Sequence, residues 1–205
     1  MSTFSNTDTG SKPADPYTTA NKGSSIPTQA KVDALNKFVA YCKFGMMTTL
    51  NGSGKLVSRC MAVIPKETGS MDCLFFTNTE SNKTNEIKND PRVNISFLDR
   101  AGQWASISGT TSIETDRGLI KKHYYPSLKA WLGDLGDGTH DGSENDPRIG
   151  IIRVKMETAT YSITDLSILG RLVEIAKGTV TGEPANVNNI HELSEDEVNK
   201  HRSTQ

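Results

Sequence analysis

Apolar side chains are almost missing from the first 27 residues, MSTFSNTDTGSKPADPYTTANKGSSIP, and then recur with a clear period. In QAKVDALNKFVAYCK (29–43), Val32, Leu35, Phe38, Val39 and Cys42 fall on one helical face, which predicts an amphipathic helix. Phe44 to Leu50 has strand composition. The turn Asn51-Gly52-Ser53-Gly54 follows, and Asn-Gly tolerates the positive φ that tight hairpins demand. Leu56 to Ile64 returns as a second strand and Met71 to Thr77 forms a third. Ser81 to Asn89 reads as a short polar helix ended by Asp90-Pro91, because proline disfavours helical geometry at the residue before it. Arg92 to Asp99 alternates, with Val93, Ile95 and Phe97 on one face. Gln103 to Glu114 is a long fifth strand with Ala105 and Ile107 facing away from Trp104, Ser106 and Ser108. Asp116 to Lys129 is helical material interrupted at Pro126. Ile149 to Ser162 makes one or two further strands. Leu166 to Thr179 places Leu166, Leu169, Leu172, Val173 and Ala176 on a helical face.

This order predicts a mainly β domain with peripheral helices (α+β). Successive antiparallel strands close into a small β-barrel, because closure removes exposed edges. The expected boundaries are a disordered N-terminal tail over 1–28, one domain over 29–183 and a polar, frayed tail over 184–205. There is no internal repeat.

Charge and composition narrow the partners. Formal net charge is −1, so bulk electrostatics gives no reason to expect nucleic acid. No stretch approaches the ~20 apolar residues of a membrane span, and the N-terminus lacks a secretory or transit pattern, so a cytoplasmic protein is expected. Cys42, Cys60 and Cys73 read as reduced core thiols. The four histidines share no ligand spacing with them, and no metal site is expected. The acidic loop 133–148, GDLGDGTHDGSENDPR, fails the EF-hand pattern and reads as solvated.

The chemistry concentrates in Leu56 to Lys83. Ser58 and Arg59 lie on one strand, Phe76, Thr77 and Asn78 on the next, and Ser81, Lys83 and Thr84 at a helix start. Free N–H groups, a lysine and hydroxyls suit a phosphate, and Arg59 offers a second cation. The competing readings are a plain Ser81 cap and a solvated Lys83.

These residues carry a resemblance to the FMN-binding split barrels of the pyridoxamine 5′-phosphate oxidase superfamily. The branch it resembles is that of the general stress proteins, which includes the blue-light-inducible proteins of filamentous fungi. Ser58-Arg59-Cys60-Met61, Leu74-Phe75-Phe76-Thr77 with Ser81 and Lys83, Asp90 to Phe97, Ser106 to Gly109 and Lys129-Ala130-Trp131 match family patterns in order. The resemblance implies an antiparallel split barrel, a homodimer, and FMN at the subunit interface. Arg59, Cys60 and Met61 would line the ring and ribityl chain, partly through backbone groups. Phe76 and Thr77 would flank the ring. Ser81 and Lys83 would hold the phosphate with Arg59. Gln103 would reach the cofactor, and Trp131 would close the site, from the partner subunit; the competing reading of Trp131 is a core or interface tryptophan without flavin contact.

Two departures limit the function. True pyridoxamine phosphate oxidases carry a lysine where this chain has Ile64. They also carry an R-x-H pair where it has Tyr161 to Leu166. The expected function is a stress- or light-response protein that holds FMN without vitamin B6 oxidation. The alternative is an FMN-dependent oxidoreductase of an unknown small substrate, and no catalytic residue is assigned. A haem in the same barrel would need an axial ligand, and His123, beside Tyr124 and Tyr125, suits packing better.

Overall fold

The computed structural model describes residues 15–66, 69–164 and 166–204. The helices are α1 (Pro16–Ala20), α2 (Thr28–Cys42), α3 (Asn82–Asn89), α4 (Arg117–His123), α5 (Lys129–Leu132), α6 (Ile168–Thr181) and α7 (Glu195–Arg202). A 3-10 turn, Pro126–Leu128, precedes α5. The strands are β1 (Phe44–Leu50), β2 (Leu56–Ile64), β3 (Cys73–Asn78), β4 (Arg92–Leu98), β5 (Trp104–Glu114), β6 (Ile149–Ile163) and β7 (Asn189–Leu193). They bond in the order β3-β2-β1-β4-β5-β6-β7, and β3 also pairs with β6. Six strands thus close an antiparallel barrel, as the alternation predicts, and β7 extends β6. No helix among the described residues is long and apolar enough to cross a membrane.

The residues fall into two compact units. One comprises 39–66, 69–95 and 108–156. In it β1 and β2 form a hairpin in register from Phe44↔Ala62 to Leu50↔Leu56. The connecting loop is closed by Asn51, whose Oδ1 accepts the amides of Ser53 and Lys55. Its positive φ falls at Gly54, not at the Asn-Gly pair. The strand β3 pairs with the first half of β6, from Cys73↔Val154 to Asn78↔Ile149. A cluster of Ile64, Leu74, Ile120, Leu128, Ile149 and Ile151 is buried there, with Phe76 and Tyr124 packed against it.

The other unit comprises 15–38, 96–107, 157–164 and 166–204. Val32 and Leu35 of α2 are buried, as are Phe97, Ile107, Leu193 and Val198. Residues 1–14 of the expected disordered tail lie outside the described residues, but 15–27 are not a loose tail. The side chain of Asn21, 1% exposed, donates to Tyr17 and Ala185 carbonyls and accepts the amides of Val187 and Asn188. Lys22 then bridges Ile190. The same pairing corrects the frayed C-terminal tail. There β7 pairs with the second half of β6, and α7 starts with a full capping box between Ser194 and Glu197. Composition misled at both ends because each polar segment satisfies the other.

Two further expectations are corrected. Cys60 is exposed on the outward face of β2, and Cys42, the last residue of α2, is partly exposed although it shares the buried face; only Cys73 is buried. The apolar face of α6 is turned to solvent. Leu169 is 71% exposed and Leu172, Val173 and Ile175 are also exposed, while the partly buried positions are Gly170, Arg171, Glu174 and Gly178. Arg171 is held there by a hydrogen bond to the Ala101 carbonyl. Periodicity identifies a shared face but not its direction.

This arrangement predicts an asymmetry in urea denaturation. Ile151→Ala should cost about 2–5 kcal/mol, the range for a buried large-to-small change. Leu169→Ala and Leu172→Ala should each cost less than about 0.5 kcal/mol, as surface changes do. Core-like losses at Leu169 and Leu172 would show that this face is covered in solution.

Candidate functional site

Strand alternation sorts the β2 residues. Ser58 and Cys60 are exposed, and Ser58 Oγ lies 2.7 Å from Thr48 Oγ1 across the hairpin. Arg59 and Met61 are half-buried on the opposite face. Arg59 donates through Nη1 to Thr49 Oγ1 and through Nη2 to Glu86 Oε2, both at 2.7 Å. Glu86 also accepts from Thr49 Oγ1 at 2.7 Å and from Asn82 Nδ2 at 3.0 Å. Burial pushes its carboxyl up, but the bonds from Thr49, Arg59 and Asn82, with the Arg59 charge, outweigh that and leave its pKa lowered.

The end of β3 and the start of α3 supply the second half. Ser81 is the residue before the helix, yet its side chain makes no cap bond. Its Oγ donates to the Asn78 carbonyl at 2.7 Å and accepts from Lys83 Nζ at 2.9 Å. Lys83 Nζ also reaches Thr77 Oγ1 at 3.3 Å. So the capping reading fails for Ser81, and the solvated reading fails for Lys83, which is half-buried. Burial lowers the Lys83 pKa, the nearby Arg59 charge lowers it further, and Glu86 opposes both. Arg59, Thr77, Ser81, Lys83 and Glu86 therefore form one cluster with two cations, two hydroxyls and one carboxylate. Such a donor set fits a phosphate group.

The sequence over residues 30–186 matches the family described as pyridoxamine 5′-phosphate oxidase like. The chain belongs to this family. It is 54% identical over 203 residues to protein bli-3 of Neurospora crassa, covering 98% of this chain and 97% of that one. Its fold resembles a putative general stress protein 26 from Jannaschia, with TM-score 0.60, 20% identity and coverage of 81% of this chain and 99% of the other. It also resembles the general stress FMN/FAD binding protein of Xanthomonas citri, with TM-score 0.51, 21% identity and coverage of 62% and 84%.

The remaining candidates of this pyridoxamine oxidase-like chain behave differently. Phe76 is half-buried and meets Tyr125 edge to face, with ring centroids 5.8 Å apart. Ile64, where the true oxidases have lysine, is buried in the aliphatic cluster. Gln103 belongs to the other unit and has both amide ends engaged. Its Nε2 donates to Asp99 at 2.7 Å and its Oε1 accepts the Thr164 amide at 2.8 Å. Each end keeps one further valence, the second Nε2 hydrogen and the second Oε1 lone pair. Trp131 is 84% exposed and belongs to no core. Sequence reasoning missed Glu86 and Thr49. Glu86 shares the buried face of α3 with Ile87, and a carboxylate at such a position is the one signal that pointed to a buried cation nearby.

The Glu86 network predicts a pH dependence. Its folded pKa lies below the ordinary 4.5, so its stabilisation is complete above that pH and is lost as pH falls through the lower folded value. At neutral pH, Glu86→Gln should cost about 1–3 kcal/mol, the penalty for weakening a buried charge-assisted network. That difference should shrink on acidification below 4.5, measured by urea denaturation at a series of pH values.

Proposed function

We propose that this chain is an FMN-binding stress- or light-response protein that holds the flavin at a homodimer interface and lacks the vitamin B6 substrate grip. One observation carries the reading: Ser81, free of capping duty, and Lys83 converge with Thr77 and Arg59 in a half-buried cationic cluster. A bound flavin supplies the redox-active ring. Ser81, Lys83 and Arg59 hold its phosphate in this reading. The strand backbone at Ser58, Cys60 and Met61 runs along the ribityl chain, and Phe76 and Thr77 flank the ring. Trp131 covers the ring from the second subunit, which explains an indole left 84% exposed by its own chain. The neighbour named as an FMN/FAD binding protein supports a flavin, and those named general stress proteins support the physiological class. Buried Ile64 supports the missing grip, because an apolar side chain there cannot contact a charged B6 substrate.

The test is an absorption spectrum and a titration of the purified protein with FMN and with riboflavin. FMN should bind at twice the chain mass by sedimentation. Arg59→Met and Lys83→Met should each cost about 1.5–3 kcal/mol of FMN affinity per charge-assisted bond lost. Riboflavin affinity should change little. Equal FMN affinity in both variants would remove these residues from the phosphate role, and a protein that takes up no flavin would end the proposal.

A further inference from the structure

The loop 133–148 was expected to be a plain solvated segment, yet it contains a fully buried ion pair. Asp146 is 0% exposed and Arg148 4%. The Arg148 side chain bonds Asp146 through Nε to Oδ1 at 3.1 Å and through Nη2 to Oδ2 at 2.6 Å. Asp146 also accepts the backbone amides of Gly142 and Arg148, at 2.7 and 2.9 Å. The backbone on either side is fixed as well. Arg117 grips the carbonyls of Asp146 and Ile149, and the Arg148 carbonyl accepts the Thr79 amide just beyond β3.

The outward donors of this pair all go to one place. Arg148 Nη1 donates to the Leu132 carbonyl at 3.2 Å, and Nη2 donates to that of Gly133 at 2.8 Å. These are carbonyls at the C-terminal end of α5, which an isolated helix leaves without partners. The opposite end of α5 is clamped too. Gly142 lies so close to Lys129 that a Cβ there would sit 2.9 Å from Lys129 Cγ and 3.1 Å from its Cα. A single helical turn cannot hold itself, because nucleation costs more than its few bonds return. Yet α5, four residues long, is fixed at both ends and presents Trp131 to solvent.

Burying an ion pair is a poor route to stability, since desolvation consumes most of the attraction. Geometry is the better account here. We infer that Asp146 and Arg148 are positioning residues for Trp131: they lock the C-terminal end of α5 so that the indole is preset as the lid over the flavin of a second subunit. The lid part of this inference rests on the flavin reading above; the lock does not.

The experiment uses the full chain with Trp104→Phe, leaving Trp131 as the one indole of the two in the sequence. Fluorescence anisotropy decay of the flavin-free protein reports the mobility of Trp131. Arg148→Met should leave the far-UV circular dichroism unchanged and make Trp131 faster-moving, and Arg148→Lys should restore part of the order. FMN affinity should fall about two- to tenfold in Arg148→Met, the cost of ordering one side chain again on binding. That loss should disappear when Trp131→Ala is already present, because the two act through one contact. If Arg148→Met unfolds, Gly142→Ala attacks the other clamp without touching the pair and should loosen Trp131 in the same way. Unchanged Trp131 mobility in the folded variants would overturn the lock. Loosened Trp131 with additive losses in FMN affinity would overturn the lid. Failure of the wild type to bind FMN would sink the flavin reading and the lid with it, while the anisotropy would still judge the lock.

Discussion

The ladder between Cys73–Asn78 and Ile149–Val154 closes the barrel, and the other local arrangements hang from its last rung. Each of these segments would otherwise present a row of unpaired backbone groups along a strand edge. Beyond Asn78↔Ile149 both segments leave the ladder at the same end, joined by one more bond from the Thr79 amide to the Arg148 carbonyl. One segment runs at once into Ser81 and Lys83. The other leads back through Arg148 and Asp146, whose side chains bond each other and the end of α5. The cationic cluster and the mounting of Trp131 are therefore fixed to the same point of the sheet.

Charge balance decides how the cluster behaves. Two cations in a half-buried space repel each other, and the lowered pKa of Lys83 registers burial first and Arg59 second. Glu86 relieves part of this by taking one edge of Arg59, while Thr49 bonds both partners. One carboxylate against two cations still leaves positive charge. For the phosphate proposed to bind here the donors are already in place, so little reorganisation would be needed. Glu86 would temper the attraction of the two cations for it.

Much of this was legible in the sequence. Strand composition and turn signals identified the first three strands, period-two alternation identified those over Arg92 to Asp99 and Gln103 to Glu114, and helical spacing identified α2 with its buried Val32, Leu35, Phe38 and Val39. The clustering of Thr77, Ser81 and Lys83 was legible because these residues are close in sequence. Glu86 and Thr49 were not, because their link to Arg59 joins two strands and a helix through tertiary packing. The same holds for Asn21, three of whose hydrogen bonds tie segments over 160 residues apart. Composition treats such a segment as unable to order itself, which is correct in isolation and fails when its partner is another polar segment. The α6 face shows a different limit, since a hydrophobic stripe is equally periodic whether it faces a core or water.

Ile64 ties the proposed lack of a B6 grip to the packing and not to one residue. It sits at 3% exposure with Leu74, Ile120, Leu128, Ile149 and Ile151 around it. A lysine at that position would place an ammonium among aliphatic side chains with no carboxylate in the cluster, and a buried unpaired charge is strongly unfavourable. The cluster includes Leu128, one residue before the helix that carries Trp131, and Phe76 packs against it. Opening space and polarity for a lysine would therefore disturb the residues proposed to flank and cover the ring. In this chain, the packing beneath the proposed flavin site and the lysine of the true oxidases would compete for the same volume.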